Sequence, residues 1–174
     1  MTVNGSSGHA RARARGVCVL LGVFGASVGL VAGCGSSGPP TVEFSSTAGT
    51  VRATPAQYCD VAVTKCENHP EAVARLVVPP GQPLRITVPE EVAAGPWHVV
   101  FSYRNTVGAE QAPVDARSPV FPPNQRHEYE LALPDPTDQL ITAQVQQFGG
   151  GNPATGPGGE LSFPVRGSWV VDAG

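Results

Sequence analysis

The chain has 174 residues, a formal net charge of −3, 18 prolines and 21 glycines. An acidic balance argues against a nucleic-acid partner and against an electrostatic grip on anionic lipid. Frequent Pro and Gly disfavour long helices and central strands of great length, while 41% hydrophobic residues are too many for a disordered chain.

The first segment reads as a leader. Arg11, Arg13 and Arg15 place positive charge ahead of an apolar run from Val17 to Ala32. About sixteen residues suit a signal-peptide core and fall short of the roughly twenty that span a bilayer. The run ends in Leu30-Val31-Ala32-Gly33-Cys34, a branched residue and two small ones before a cysteine. That is the processing signature of a bacterial lipoprotein. Cys18, at the start of the same run, would leave no apolar core before the cut. The expected organisation is a signal peptide over 1–33, lipidated Cys34 with a flexible tether over 34–48, and a single domain over 49–174. Gly35-Ser36-Ser37-Gly38-Pro39-Pro40 supplies reach rather than chemistry. Acyl chains on Cys34 hold a protein to a membrane by burying methylenes, at about 0.8 kcal/mol each.

About 140 residues remain after the leader, enough for one domain. Cys59 and Cys66 remain besides Cys34, and an isolated pair in an exported protein is expected to form a disulfide. A redox motif would use a two-residue gap, and a metal site would need more ligands.

Alternation of period two runs through the rest. Thr50–Thr54 and Ala72–Val78 are expected strands, though Glu71–Leu76 is ambiguous, and Ala56–Lys65 is open between short helix and strand. Leu84-Arg85-Ile86-Thr87-Val88 puts its apolar residues on one face. Trp97, Val99, Phe101 and Tyr103 alternate with His98, Val100, Ser102 and Arg104. Tyr129, Leu131 and Leu133 form a further stripe, as do Ile141, Ala143 and Val145, then Leu161, Phe163 and Val165, and last Trp169-Val170-Val171. Pro79-Pro80-Gly81, Ala94-Gly95-Pro96, Pro122-Pro123-Asn124 and Pro134-Asp135-Pro136 are turns between them. The pattern predicts an all-β, immunoglobulin-like β-sandwich of about seven to nine strands. Cys59 and Cys66 lie too close to bridge its two sheets and would pin a local turn.

Gly149–Gly159 holds six glycines, two prolines and no charge. It is expected to link strand Leu140–Phe148 to strand Glu160–Val165 as a mobile hairpin loop. It lacks the Gly-Lys-Ser/Thr of a phosphate-binding loop.

Signals for chemistry are sparse. His69, His98 and His127 share no metal-ligand spacing, and His98 is placed on the polar face of its strand. A type-one copper site needs a free thiolate and two histidines, and the cysteines are committed. No metal or other cofactor is expected. There is no Gly-x-Ser-x-Gly turn. Glu90-Glu91 fall in a turn, and Glu128 and Glu130 share a strand face, the pattern of a solvated surface. Trp97 and Trp169 are expected in the core, and no ligand-binding residue is singled out.

The Cys34 motif, the Cys59/Cys66 pair, Pro80-Gly81-Gln82-Pro83-Leu84-Arg85-Ile86-Thr87-Val88-Pro89 and Pro96-Trp97-His98-Val99-Val100-Phe101 together resemble an uncharacterised lipoprotein family of actinobacteria, the domain of unknown function 2771. The resemblance covers nearly all of the chain after the leader. It implies an envelope location, no known activity and no functional residue to carry over. The expected function is a lipid-anchored extracytoplasmic binding or interaction module of the cell envelope, without catalysis, held to the membrane through Cys34 and meeting an envelope protein. The alternatives are a carrier or sensor for a small apolar or glycan ligand held between the sheets, and a hydrolase with a dispersed site.

Overall fold

The structure is a computed structural model that describes residues 38–105, 112–150, 154–155 and 161–174. Cys34 and the leader 1–33 lie outside the described residues, as does most of the glycine-rich stretch.

Among the described residues thirteen strands and one short helix follow in order. They are β1 Val42–Ser46, β2 Gly49–Ala53, β3 Gln57–Cys59, β4 Cys66–Asn68, β5 Val73–Arg75 and β6 Leu84–Thr87. Next come α1 Glu90–Ala93, β7 Trp97–Arg104, β8 Pro113–Arg117, β9 Glu128–Leu131 and β10 Gln139–Phe148. The chain closes with β11 Ala154–Thr155, β12 Leu161–Ser162 and β13 Val165–Asp172.

One sheet has four strands in the order β2-β1-β6-β9. The second has seven, in the order β4-β3-β13-β10-β7-β8, with β5 joining β13 as the single parallel neighbour. The fold is the expected β-sandwich, with eleven strands in its two sheets against the seven to nine anticipated. The additions include the three-residue β4, too short to show an alternation, and β1 and β8, which were not anticipated as strands. Ala72–Val78 contributes only Val73–Arg75 as strand.

The core between the sheets follows from the alternation. Val99, Val145 and Trp169 stand side by side on three adjacent strands, and so do Phe101, Ala143 and Val171. Phe44, Leu84, Ile86 and Leu131 cover them from the smaller sheet, and all four are fully or almost fully buried. The outer face of the small sheet is charged. Glu43 pairs with Arg52 across β1 and β2, and Arg85 reaches both Glu128 and Glu130 on β9. These exposed pairs add little stability and keep the face wetted.

Gly167 is required by its neighbour. Residues 167 and 169 share the inner face of β13, and the Trp169 ring lies back over the glycine, so that a Cβ there would sit 2.6 Å from Trp169 Cη2. Short α1 has no side-chain cap at its start. Its carbonyls are satisfied from the opposite side, by a glutamine of β10. Gln147 Nε2 donates to Glu91 O at 2.8 Å and Val92 O at 2.9 Å. This is why a polar residue occupies an inward position on the longest strand.

Three expectations need correction. The folded domain does not begin at residue 49. Val42 and Phe44 of β1 are completely buried core residues, so the expected tether of 34–48 is at least seven residues too long. The alternation of Val42 and Phe44 was the available signal. The partner of β10 in its hairpin is β13, which starts at Val165, and not a strand over Glu160–Val165. Phe163 consequently leaves the core stripe and is 51% exposed. The glycine-rich stretch does not begin as a free loop. Gly149 N donates to Pro164 O and Gly150 N to Val61 O, at 2.9 and 3.0 Å. Its later glycines lie outside the described residues.

Candidate functional site

The largest cavity among the described residues, about 790 Å³, lies where the chain enters the sandwich. Its walls are the lead-in segment Gly38–Thr41, the β3–β4 hairpin, Pro89 and Glu91 before and within α1, and Arg166 of β13. The antiparallel pairing of β3 with β13 brings Tyr58 and Arg166 together across 108 positions of sequence.

The hairpin is rigid by construction. Cys59 and Cys66 face each other across β3 and β4 and are joined by a disulfide. Inside the loop, the Asp60 carboxylate accepts from the Thr64 hydroxyl at 2.6 Å and from the Thr64 amide at 2.7 Å. The hydroxyl bond, followed by the amide bond, holds the Asp60 pKa below its ordinary value of 3.8. Val63 takes a left-handed backbone, with φ of 56°, to close the turn.

Arg166 is held at three points. Its Nε donates to Cys59 O at 3.1 Å, its Nη2 donates to Tyr58 Oη at 3.1 Å, and its guanidinium lies 5.1 Å from the Tyr58 ring centre. The Tyr58 ring meets Trp169 edge-on at 6.1 Å. Trp169 in turn donates its indole N–H to Pro40 O at 2.8 Å, which ties the lead-in segment to the core. Asp60, Glu67 and Glu91 share the cavity with Arg166 and Lys65. Among the described residues neither cation is in an ion pair. The cavity therefore offers both signs of charge beside an immobilised aromatic ring.

A shallower trough of about 470 Å³ crosses the outer face of the large sheet, where Gln144 lies between Val170 and Val100, with Asp115 and Arg117 of the edge strand beyond Val100. The space between the sheets is occupied by Trp97, Trp169 and the aliphatic core, so the ligand cleft considered there is not seen among the described residues.

The other sequence candidates are dispersed. His69 is exposed, with Nδ1 3.6 Å from Glu71. His127 is exposed beside β9. His98 does point away from the core, as its alternation requires, yet it is buried. Its Nε2 donates to Gln146 Oε1 at 3.0 Å, and its ring packs 4.9 Å from that of Phe148. Among the described residues no three His, Cys, Asp or Glu side chains are grouped to hold a metal. Glu128 and Glu130 face Arg85, and Glu90 and Glu91 open α1. Also among the described residues, no helix is long and apolar enough to cross a membrane.

Sequence reasoning missed Tyr58, Lys65 and Arg166. Lys65 is the single lysine of the chain and sits inside the disulfide loop. Arg166 follows an apolar stripe directly. Both were visible as oddities, but only the β3–β13 pairing makes them neighbours.

No curated protein and no solved structure matches the chain. Residues 36–173 do match the model of a family described as Protein of unknown function (DUF2771). That match takes in every strand of both sheets and the whole cavity, and the chain belongs to this family.

Proposed function

We propose that the chain is a lipid-anchored extracytoplasmic binding module of the cell envelope, acylated at Cys34 and without a reaction of its own. The observation that carries this reading is the close succession of the lipoprotein signature and the fold. Leu30-Val31-Ala32-Gly33-Cys34 ends four residues before Gly38, and Pro40 is already bonded to Trp169 of the core. A module so placed works at the membrane surface. Binding rather than catalysis is supported by the dispersal of His69, His98 and His127 and by the engagement of Glu128 and Glu130 with Arg85.

Partition of the full-length protein between detergent and water, with intact mass of the mature chain, tests the reading. The expected result is a detergent-phase protein whose mass includes acyl groups on a chain beginning at Cys34, and an unprocessed or aqueous Cys34→Ser variant. A wild-type protein that enters the aqueous phase with no acyl mass overturns it.

A further inference from the structure

We propose that the lead-in end of the sandwich is a membrane-docking surface, with Val61 and Phe163 dipping into the headgroup region of a zwitterionic phospholipid bilayer. The inference rests on the anchor at Cys34 and adds to it a fixed orientation of the domain.

Val61 is 65% exposed, and Phe163, the one exposed aromatic ring among the described residues, is 51% exposed. They flank one spot. Gly150 N donates to Val61 O, Gly149 N donates to Pro164 O, and the Phe163 ring meets Phe148 at 6.1 Å. Both present apolar surface to water beside that spot. Val61 lies at the tip of a six-residue loop that could have held any polar residue. Phe163 breaks the stripe that would have buried it.

The same end receives the chain. Asp60 and Lys65, which bound the Val61 loop, line the cavity together with Gly38–Thr41. Gly38 lies four positions after Cys34, and a fully extended chain of four steps spans at most about 14 Å. An acylated Cys34 therefore keeps this end of the domain close to the lipid. Interfacial binding scales with the apolar area buried there, and a single anchored chain lends that contact a high local concentration.

Charge selects the lipid class. Lys65 and Arg166 meet phosphate, and the aliphatic stem of Lys65 reaches along an apolar boundary with its ammonium in water. Asp60, Glu67 and Glu91 face the same cavity and oppose a strongly anionic surface. A headgroup carrying phosphate and ammonium matches both.

The opposite end supplies the control. Leu76 N donates to Asp172 O and Val78 N to Ala173 O, so Val77 lies at the far end of β13 while Val165 and Arg166 begin it. Seven strand steps put these ends about 23 Å apart. Val77 is 59% exposed, as open as Val61.

The test uses the full-length lipidated protein in phosphatidylcholine vesicles containing brominated acyl chains. Trp97 and Trp169 are fully buried, so wild type sets the background. Val61→Trp and Phe163→Trp are expected to show at least twofold greater quenching than Val77→Trp, with blue-shifted emission. Equal quenching of all three, or none above wild type, in a protein whose mass shows acyl groups overturns the docking and leaves the anchor standing. A mass without acyl groups overturns both. Hydrogen exchange on the unaltered chain gives a readout free of substitutions. Amides of residues 60–65 are expected to exchange at least threefold more slowly in vesicles than in soluble Cys34→Ser, and equal rates overturn the docking.

Discussion

Gly149 and Val63 are packed so closely that a Cβ on the glycine would collide with Val63 Cγ2. The two residues belong to different hairpins, β10–β13 and β3–β4. Their contact seats the disulfide loop on the end of the large sheet, with Gly150 N to Val61 O as the adjoining bond. Gly149→Ala is expected to lower stability by about 1–3 kcal/mol, the usual cost of overpacking. The double variant with Val63→Ala is expected to recover most of that loss in denaturant unfolding. Additive losses would show that the contact is not the cause.

Val63 itself bears strain, because a β-branched residue at φ of 56° has its side chain against its own backbone. Val63→Asn, which tolerates this conformation, is expected to raise stability by about 0.5–1 kcal/mol. A lowered melting temperature would mean that the valine methyls contribute more by packing on Gly149 than the backbone loses.

The disulfide closes a short loop, and the chain-entropy account gives about 2–3 kcal/mol for its removal. Cys59→Ala with Cys66→Ala is expected to show this loss in urea unfolding of otherwise intact protein. Because Arg166 bonds to Cys59 O, exchange at the Arg166 end of β13 is also expected to accelerate. A loss well under 1 kcal/mol would show that the hairpin is held by Asp60, Thr64 and Gly150 alone.

Gln147 is the polar residue on which α1 depends. Gln147→Leu keeps an apolar surface in place but removes the Gln147 donor from Glu91 O and leaves Val92 O with the Gly95 amide alone. The expected cost is about 1–2 kcal/mol, from the lost donor to Glu91 O and the weaker satisfaction of Val92 O. Measured stability equal to wild type would mean that water reaches these groups from the cavity side.

The acid limb of the stability curve has an identifiable contribution. Thr64 lowers the pKa of Asp60, and Thr137 does the same for Asp135 through its hydroxyl and then its amide. A folded-state pKa below the unfolded value of 3.8 means stabilisation present above pH 3.8 and lost as pH falls through the lower folded value. Asp60→Asn with Asp135→Asn is expected to flatten the decline in stability below about pH 4. A slope unchanged from wild type would show that other carboxylates carry it.

Much of this protein was legible in one dimension. Alternation identified the core of β7, β9 and β10, and the short spacing of Cys59 and Cys66 identified a local disulfide, because both are set by neighbouring residues. What required tertiary structure was decided by partners far along the chain. Alternation says that a strand has two faces, but it does not say what covers each. Thus His98 lies outside yet buried under Phe148, Gln147 lies inside because α1 needs its amide, and Phe163 lies in water because β13 begins two residues later. The cavity was hidden for the same reason. Pro40, Tyr58 and Arg166 carry no motif between them, and they meet only because β3 pairs with β13 and Trp169 reaches back to the start of the fold.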